Sequence, residues 1–212
     1  MKIKSGVLEG IIILALFVLF YNLSASFVVK VSSDTPHYAE QVIVIDAGHG
    51  DFDPGKVASD GTLEKDLNLS IALKLYDIFK SNGYAVVMTR TGDATLAASD
   101  AKSVAEKKKT DTHNRTKLTD SFVDSVMISI HQNSFSDSSQ HGTQLFYGAL
   151  NPESELLAEA VMCSVVNAVQ PENTRPLKKG TKSIYILVNT KAPTVLVECG
   201  FMTNGAELEL LK

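Results

Sequence analysis

Apolar and polar positions alternate between two rhythms along this chain. Val42-Ile43-Val44-Ile45, within Gln41–Asp46, is an unbroken β-branched run, the pattern of a strand buried on both faces. Asp46-Ala47-Gly48-His49-Gly50-Asp51 then breaks it with glycines. Between Leu63 and Lys80, the residues Leu67, Ile71, Leu75 and Ile78 recur at helical spacing, with Thr62 as the N-cap and Asn82-Gly83 as the stop. Tyr84–Thr89 reads as a second strand and Ser125–Ile130 as a third, running into His131. Arg115–Phe122 reads as helical, whereas Gly92–Asn114, with Lys107-Lys108-Lys109, reads as a solvated loop or exposed helix. Gly142–Tyr147 alternates polar and apolar, as an edge or half-exposed strand does. Pro152 opens a helix through Leu156, Leu157, Ala160, Val161 and Val165, and Thr194–Glu198 is a last buried strand after Pro193. The repeated strand–helix–strand order predicts an α/β fold, one domain with a mostly parallel sheet flanked by helices on both faces.

The amino terminus follows neither rhythm. Lys2 and Lys4 precede the apolar run Ile11–Phe20, which small residues, Ser24-Ala25-Ser26, follow. That layout suits residues 1–29 as a signal peptide cut after Ser26, or as an uncleaved membrane anchor if the apolar stretch is counted to Val29. Residues 30–40 are polar, contain Pro36 and read as a linker, leaving residues 41–212 as the folded domain. The chain is thus expected to be exported.

Composition narrows the chemistry. The chain carries 24 acidic and 20 basic residues, a net charge of −4, and lacks the basic excess of a nucleic-acid binder. Its 44% hydrophobic content is too high for a disordered chain. Two cysteines, Cys163 and Cys199, cannot build a disulfide scaffold or a cysteine-rich zinc finger. Any metal site must therefore use histidine and carboxylate.

Open α/β sheets bind ligands beyond the carboxyl ends of their strands. His49 lies just past the first strand, His131 at the end of the third and Glu198 at the end of the last, while Glu64 begins the helix returning from that edge. Two imidazoles and one carboxylate suit Zn²⁺ with an open position for water, and a further carboxylate serves as general base. Position alone leaves open whether Glu64 or Glu198 is the ligand. Asp46 ends a strand, and Asp46, Asp51 and Asp53 with His49 offer a second metal grouping; orienting an imidazole from behind is the simpler role for Asp46. His37, His113 and His141 fall in polar segments and read as solvated, and Cys199 as a buried structural thiol.

Four motifs carry a family resemblance: Val44-Ile45-Asp46-Ala47-Gly48-His49-Gly50, Glu64-Lys65-Asp66-Leu67-Asn68-Leu69, Ser129-Ile130-His131-Gln132-Asn133-Ser134, and the run from Asn189 to Asn204 through Glu198-Cys199-Gly200-Phe201-Met202. Together these resemble the zinc-dependent N-acetylmuramoyl-L-alanine amidases of the type-3 amidase family, in the family's order, over about residues 41–204. The resemblance implies His49, Glu64 and His131 as zinc ligands, Glu198 as the catalytic carboxylate and Asn133 as a substrate contact. It implies hydrolysis of the amide between the muramic acid lactyl group and L-alanine in peptidoglycan. The polar insertion before Asn114-Arg115 and the strand Gly142–Tyr147 are similar to the germination-specific, spore-cortex branch, which prepares muramic δ-lactam. That reading implies extracytoplasmic work at the cell wall or membrane, in the forespore, with peptidoglycan as the partner and an accessory protein as a further one. Gln132 and Ser134 stand where many relatives have Ala, Val188 where many have a basic residue, and Ala206–Leu211 reads as a shortened final helix. The competing readings are a zinc peptidase or deacetylase acting on another wall bond, and a wall-binding protein without catalysis.

Overall fold

The structure, a computed structural model, describes residues 41–212; the signal or anchor segment 1–29 and the linker 30–40 lie outside the described residues. In chain order the elements are β1 (Val42–Ala47), α1 (Glu64–Ser81), β2 (Ala85–Met88), α2 (Val104–Asp120), β3 (Ser125–Asn133), β4 (Gln144–Tyr147), α3 (Glu153–Ala168), β5 (Lys178–Lys179), α4 (Tyr185–Asn189), β6 (Thr194–Phe201) and α5 (Gly205–Leu211). The strands form one sheet in the order β2-β1-β3-β6-β4-β5. The neighbours among β2, β1, β3 and β6 pair in parallel, and β4 pairs antiparallel with β6. The mostly parallel α/β sheet is the one the sequence predicts.

Alternation along each strand sorts side chains to two faces. On one face Ile43, Ile45, Ile128, Ile130, Leu145, Val195 and Val197 pack with Leu69, Ile71, Leu75, Tyr76 and Phe79 of α1 and with Leu157, Ala158 and Val161 of α3. On the other, Met127 and Leu196 pack with Ile186 and Leu187 of α4. The rest of that second face is polar: α2 buries Arg115, Thr116 and Thr119 over the sheet.

The strand ends differ from the sequence reading by one to three residues, and two helix starts differ for a physical reason. Leu63, not Thr62, is the N-cap of α1, and it makes no side-chain cap hydrogen bond. Thr62 is one residue too early, its amide donating to Asp60 Oδ1 (3.0 Å) and its carbonyl accepting from Ala58. Helix α2 begins at Val104, well before Arg115, and absorbs the lysine run. Its start is a capping arrangement: Ser103 Oγ accepts from the Glu106 amide (3.1 Å) while Glu106 Oε2 accepts from the Lys102 amide (2.9 Å). Because α2 is polar from Glu106 to Lys117, apolar periodicity carries no trace of it; the Ser103-x-x-Glu106 signature does.

Candidate metal centre and active site

The site is built at the carboxyl edge of the parallel strands. Past Ala47 the chain turns sharply, and His49 (φ 62°) and Asp51 (φ 51°) adopt left-handed backbone that non-glycine residues rarely take. Buried donors clamp this turn. Arg115 Nη2 donates to the His49 carbonyl (2.8 Å), Arg90 Nη2 to the Gly48 carbonyl (3.0 Å), and both arginines to the Ala47 carbonyl (2.9 Å each). Lys65 ties the far side, donating to the Asp51 carbonyl (3.0 Å) and Asp93 (2.6 Å). Gly48 is obligatory for a packing reason, since a Cβ there would sit 2.2 Å from His131 Nε2. Gly55 likewise leaves room for Glu64 and His49, and its φ of 67° suits glycine.

Three ligand-type atoms, one each from His49, Glu64 and His131, lie within 4.8 Å of one another. His49 Nε2 and His131 Nδ1 each approach Glu64 Oε1 at 3.1 Å, and the two rings meet edge to face with centroids 4.9 Å apart. The same Glu64 oxygen accepts from the Gln132 amide (3.1 Å) and from Asn68 Nδ2 (3.4 Å), while Oε2 accepts from the Lys56 amide (2.7 Å). Burial pushes the Glu64 carboxyl up, but hydrogen bonds from His131 and His49 and their positive charge outweigh it, so it stays well below the usual carboxylate range. Burial works against a charge on His49 as well, yet hydrogen bonds to Asp53 and Glu64 raise its pKa to about 9. The donor set of two imidazole nitrogens and one carboxylate suits a divalent metal with a fourth position open.

Glu198 is set beside this cluster by strand register: it pairs across from His131 on β3 and from Gln144 on β4. Its Oε2 is buried with no hydrogen-bond partner. Burial raises its pKa and the neighbouring Glu64 charge adds to this, offset in part by His131 and His49. A cavity of about 350 Å³ opens over His49, His131 and Glu198, walled by Lys108, Thr112 and Arg115 of α2 on one side and by Ser183–Ile186 on the other.

The remaining sequence-derived candidates fall into place unevenly. Asp46 does not hydrogen-bond an imidazole, a correction to the simpler role given it above. Its oxygens accept from Ser129 Oγ (2.6 Å), Arg115 Nη1 (2.5 Å) and Thr89 Oγ1 (2.8 Å), so its hydrogen bonds go to β3, α2 and the end of β2 instead of a ring nitrogen. Burial would raise the Asp46 pKa, but the Arg115 charge and the Ser129 hydroxyl hold it at about 2. Asp53 takes the orienting role, accepting from His49 Nδ1 (2.9 Å) and pairing with Lys108 (2.9 Å). Among the described residues the second grouping, Asp46 with Asp51 and Asp53, forms no metal cluster. Asn133 is not among the cavity residues, and its Oδ1 accepts from the Ser134 amide (2.8 Å). His113 is not a solvated loop residue: it lies on α2 and stacks on Tyr185, centroids 4.3 Å apart. His141 is exposed, and His37 lies outside the described residues. Burial lifts the Cys199 thiol to about 12, which suits a structural role. Sequence reasoning missed the arginine pair, Asp53 as the partner of His49, and the α2 and α4 cavity walls. Arg90 and Arg115 each follow a polar residue with no apolar rhythm, and only long-range packing gives them their targets.

A mostly parallel α/β sheet whose carboxyl edge gathers two imidazoles and a carboxylate beside a second carboxylate with a buried, unpartnered oxygen defines the class, a hydrolase built around a candidate metal centre. Comparison with known proteins narrows it. The profile of the N-acetylmuramoyl-L-alanine amidase family matches residues 43–212. The germination-specific N-acetylmuramoyl-L-alanine amidase of Bacillus subtilis is 34% identical over 171 residues, covering 81% of this chain and 71% of that protein. The amidase LytC of the same organism is 29% identical over 81% of this chain, which spans 32% of LytC. The CwlD amidase of Clostridioides difficile, solved in complex with the GerS lipoprotein, superposes with a TM-score of 0.75 at 35% identity, covering 80% of this chain and 87% of that one. The chain belongs to the N-acetylmuramoyl-L-alanine amidase family: it is an enzyme that cleaves the amide between N-acetylmuramic acid and L-alanine in peptidoglycan, a substrate found outside the cytoplasm. The peptidase, deacetylase and non-catalytic readings give way to this one.

Proposed function

We propose that this amidase is a zinc enzyme of the spore cortex, with His49, Glu64 and His131 as the metal ligands and Glu198 as the catalytic carboxylate. The observation that carries the proposal is the pairing of a three-ligand cluster with the buried, unpartnered Oε2 of Glu198 beside it. When bound, zinc supplies Lewis acidity toward the scissile carbonyl and the attacking water. The protein does the rest. Asp53 and the backbone clamps hold His49 in one ring orientation, and the amides of Gln132 and Asn68 hold Glu64 Oε1 toward both imidazoles. Glu198, with a pKa raised by burial, takes the proton from water and passes it to the departing L-alanine nitrogen. Tyr185 and Thr112 line the groove that receives the muramyl peptide.

The germination-specific relative supports a cortex role, in which peptide removal precedes δ-lactam formation. The lipoprotein complex of the C. difficile neighbour supports an accessory protein as a further partner. Residues 1–29 then act as signal peptide or membrane anchor, 30–40 as linker and 41–212 as the catalytic domain, delivering the enzyme to the extracytoplasmic cell wall or membrane of the forespore.

Glu198→Gln tests the assignment. It should lower kcat by about 10²–10⁴-fold while zinc still binds. Muropeptide mass spectrometry reads the loss as peptides no longer released with a free N-terminal alanine; unchanged turnover would remove Glu198 from the chemistry. Chelation should abolish release and zinc should restore it.

A further inference from the structure

Behind the metal cluster lies a side chain that the reaction does not use. Gln132 is buried, 4% exposed, and follows the ligand His131 on β3. Its Nε2 donates to Asn68 Oδ1 (3.1 Å), and its side chain also lies beside the Cys199 thiol. Its own Oε1 is buried without a hydrogen-bond partner. An orphaned buried carbonyl is unfavourable, so an apolar residue would serve packing at this site at least as well.

What the amide does is satisfy and hold Asn68 from its other side. That residue is fully buried on α1, one turn after Glu64, and its Nδ2 donates to both the Gly48 carbonyl (3.1 Å) and Glu64 Oε1 (3.4 Å). Turned over, the Asn68 amide would put its oxygen against another carbonyl and a carboxylate. Its Oδ1 must therefore face the other way, where Gln132 Nε2 supplies the donor. Through this one amide, Gln132 acts on the Glu64 ligand and on the glycine that precedes His49 and lies against the His131 ring. The backbone amide of Gln132 reaches Glu64 on its own, so substitution separates the side chain's contribution.

We propose that Gln132 is a positioning residue for the metal centre, acting through Asn68 to hold Glu64 and the Gly48-His49 turn in their ligating arrangement. The inference rests on the zinc reading above.

The test is zinc affinity, measured by competition with a chromophoric chelator on metal-stripped protein, with the melting temperature of each metal-free form recorded alongside. Gln132→Met, which keeps the volume and removes the donor, should weaken zinc binding by about 10–100-fold, the usual effect of losing a group that orients a ligand. Asn68→Ala should weaken it by a similar factor, and the double variant should be no weaker than the poorer single one, because the two act in series. Equal affinity in wild type and Gln132→Met overturns the proposal, whether or not melting changes, since a packing role moves melting alone. Fully additive losses in the double variant overturn the route through Asn68. If Gln132→Met does not fold, Gln132→Ala is measured against the same criteria. A wild-type protein that binds no zinc would instead overturn the zinc reading, a distinct result visible before any variant is made.

Discussion

On one face of the sheet, α1 and α3 lay Leu69, Ile71, Leu75 and Leu157 against Ile43, Ile45, Ile128 and Val197. On the other face, α2 lays Arg115 over Asp46 and Ser129, with Thr119 accepting the Ser125 hydroxyl and Thr190 bonded to Thr116. The apolar face is held by non-directional burial, about 1.5–3 kcal/mol for each large side chain. The polar face is held by directional bonds that stabilise only when both partners are present. The difference is functional: the polar face runs directly into the His49–Glu64–His131 cluster, and Arg115 reaches from Asp46 to the carbonyls of Ala47 and His49. Directed bonds from a charged network fix the turn's carbonyls one by one, which non-directional burial does not.

The comparison breaks most visibly at its charged end. Arg115→Met should destabilise the protein by about 3–5 kcal/mol in urea denaturation, because Asp46 is left buried without its counter-ion. Adding Asp46→Asn should recover a large part of that loss. A cost below about 1 kcal/mol for Arg115→Met would mean that the pair does not hold this face. On the apolar face, Ile45→Ala should cost about 2–5 kcal/mol and Ile45→Val about 0.5–1.5 kcal/mol, a graded response that a partner substitution does not rescue.

A change of pH sharpens the comparison further. The Asp46 pKa falls from 3.8 to about 2 on folding. Its contribution is therefore fully present above about pH 4 and is lost as pH falls toward 2, since the unfolded chain binds the proton first. The loss should be about 2 kcal/mol. Urea midpoints for wild type and Asp46→Asn should converge across that window; parallel curves would contradict a depressed carboxyl at Asp46.

Legibility in the sequence followed the same division. The β-branched runs of β1 and β3 and the spacing of Ile71 and Leu75 were enough to place the apolar face, because burial leaves a period in the residues that undergo it, although Leu67 of the same period packs separately with Met202 and Leu208. Helix α2 left none: its buried residues are Arg115, Thr116 and Thr119, chosen by partners on β1 and α4 that are distant in sequence. The site divided likewise. His49, Glu64, His131 and Glu198 were legible because α/β topology puts strand ends at one edge. Asp53 as the imidazole partner was not, because a hydrogen bond depends on the left-handed turn at His49 and not on spacing.

Local periodicity and chain direction were enough to give the α/β class, the parallel strands and the four residues at their carboxyl edge. Tertiary structure alone decided that Asp46 serves Arg115 and not an imidazole, that α2 and α4 wall the cavity, and that Gln132 stands behind Asn68 and Glu64. Buried polar groups pair with whatever the fold brings within hydrogen-bond reach, and that choice is made across the chain, where no local pattern records it.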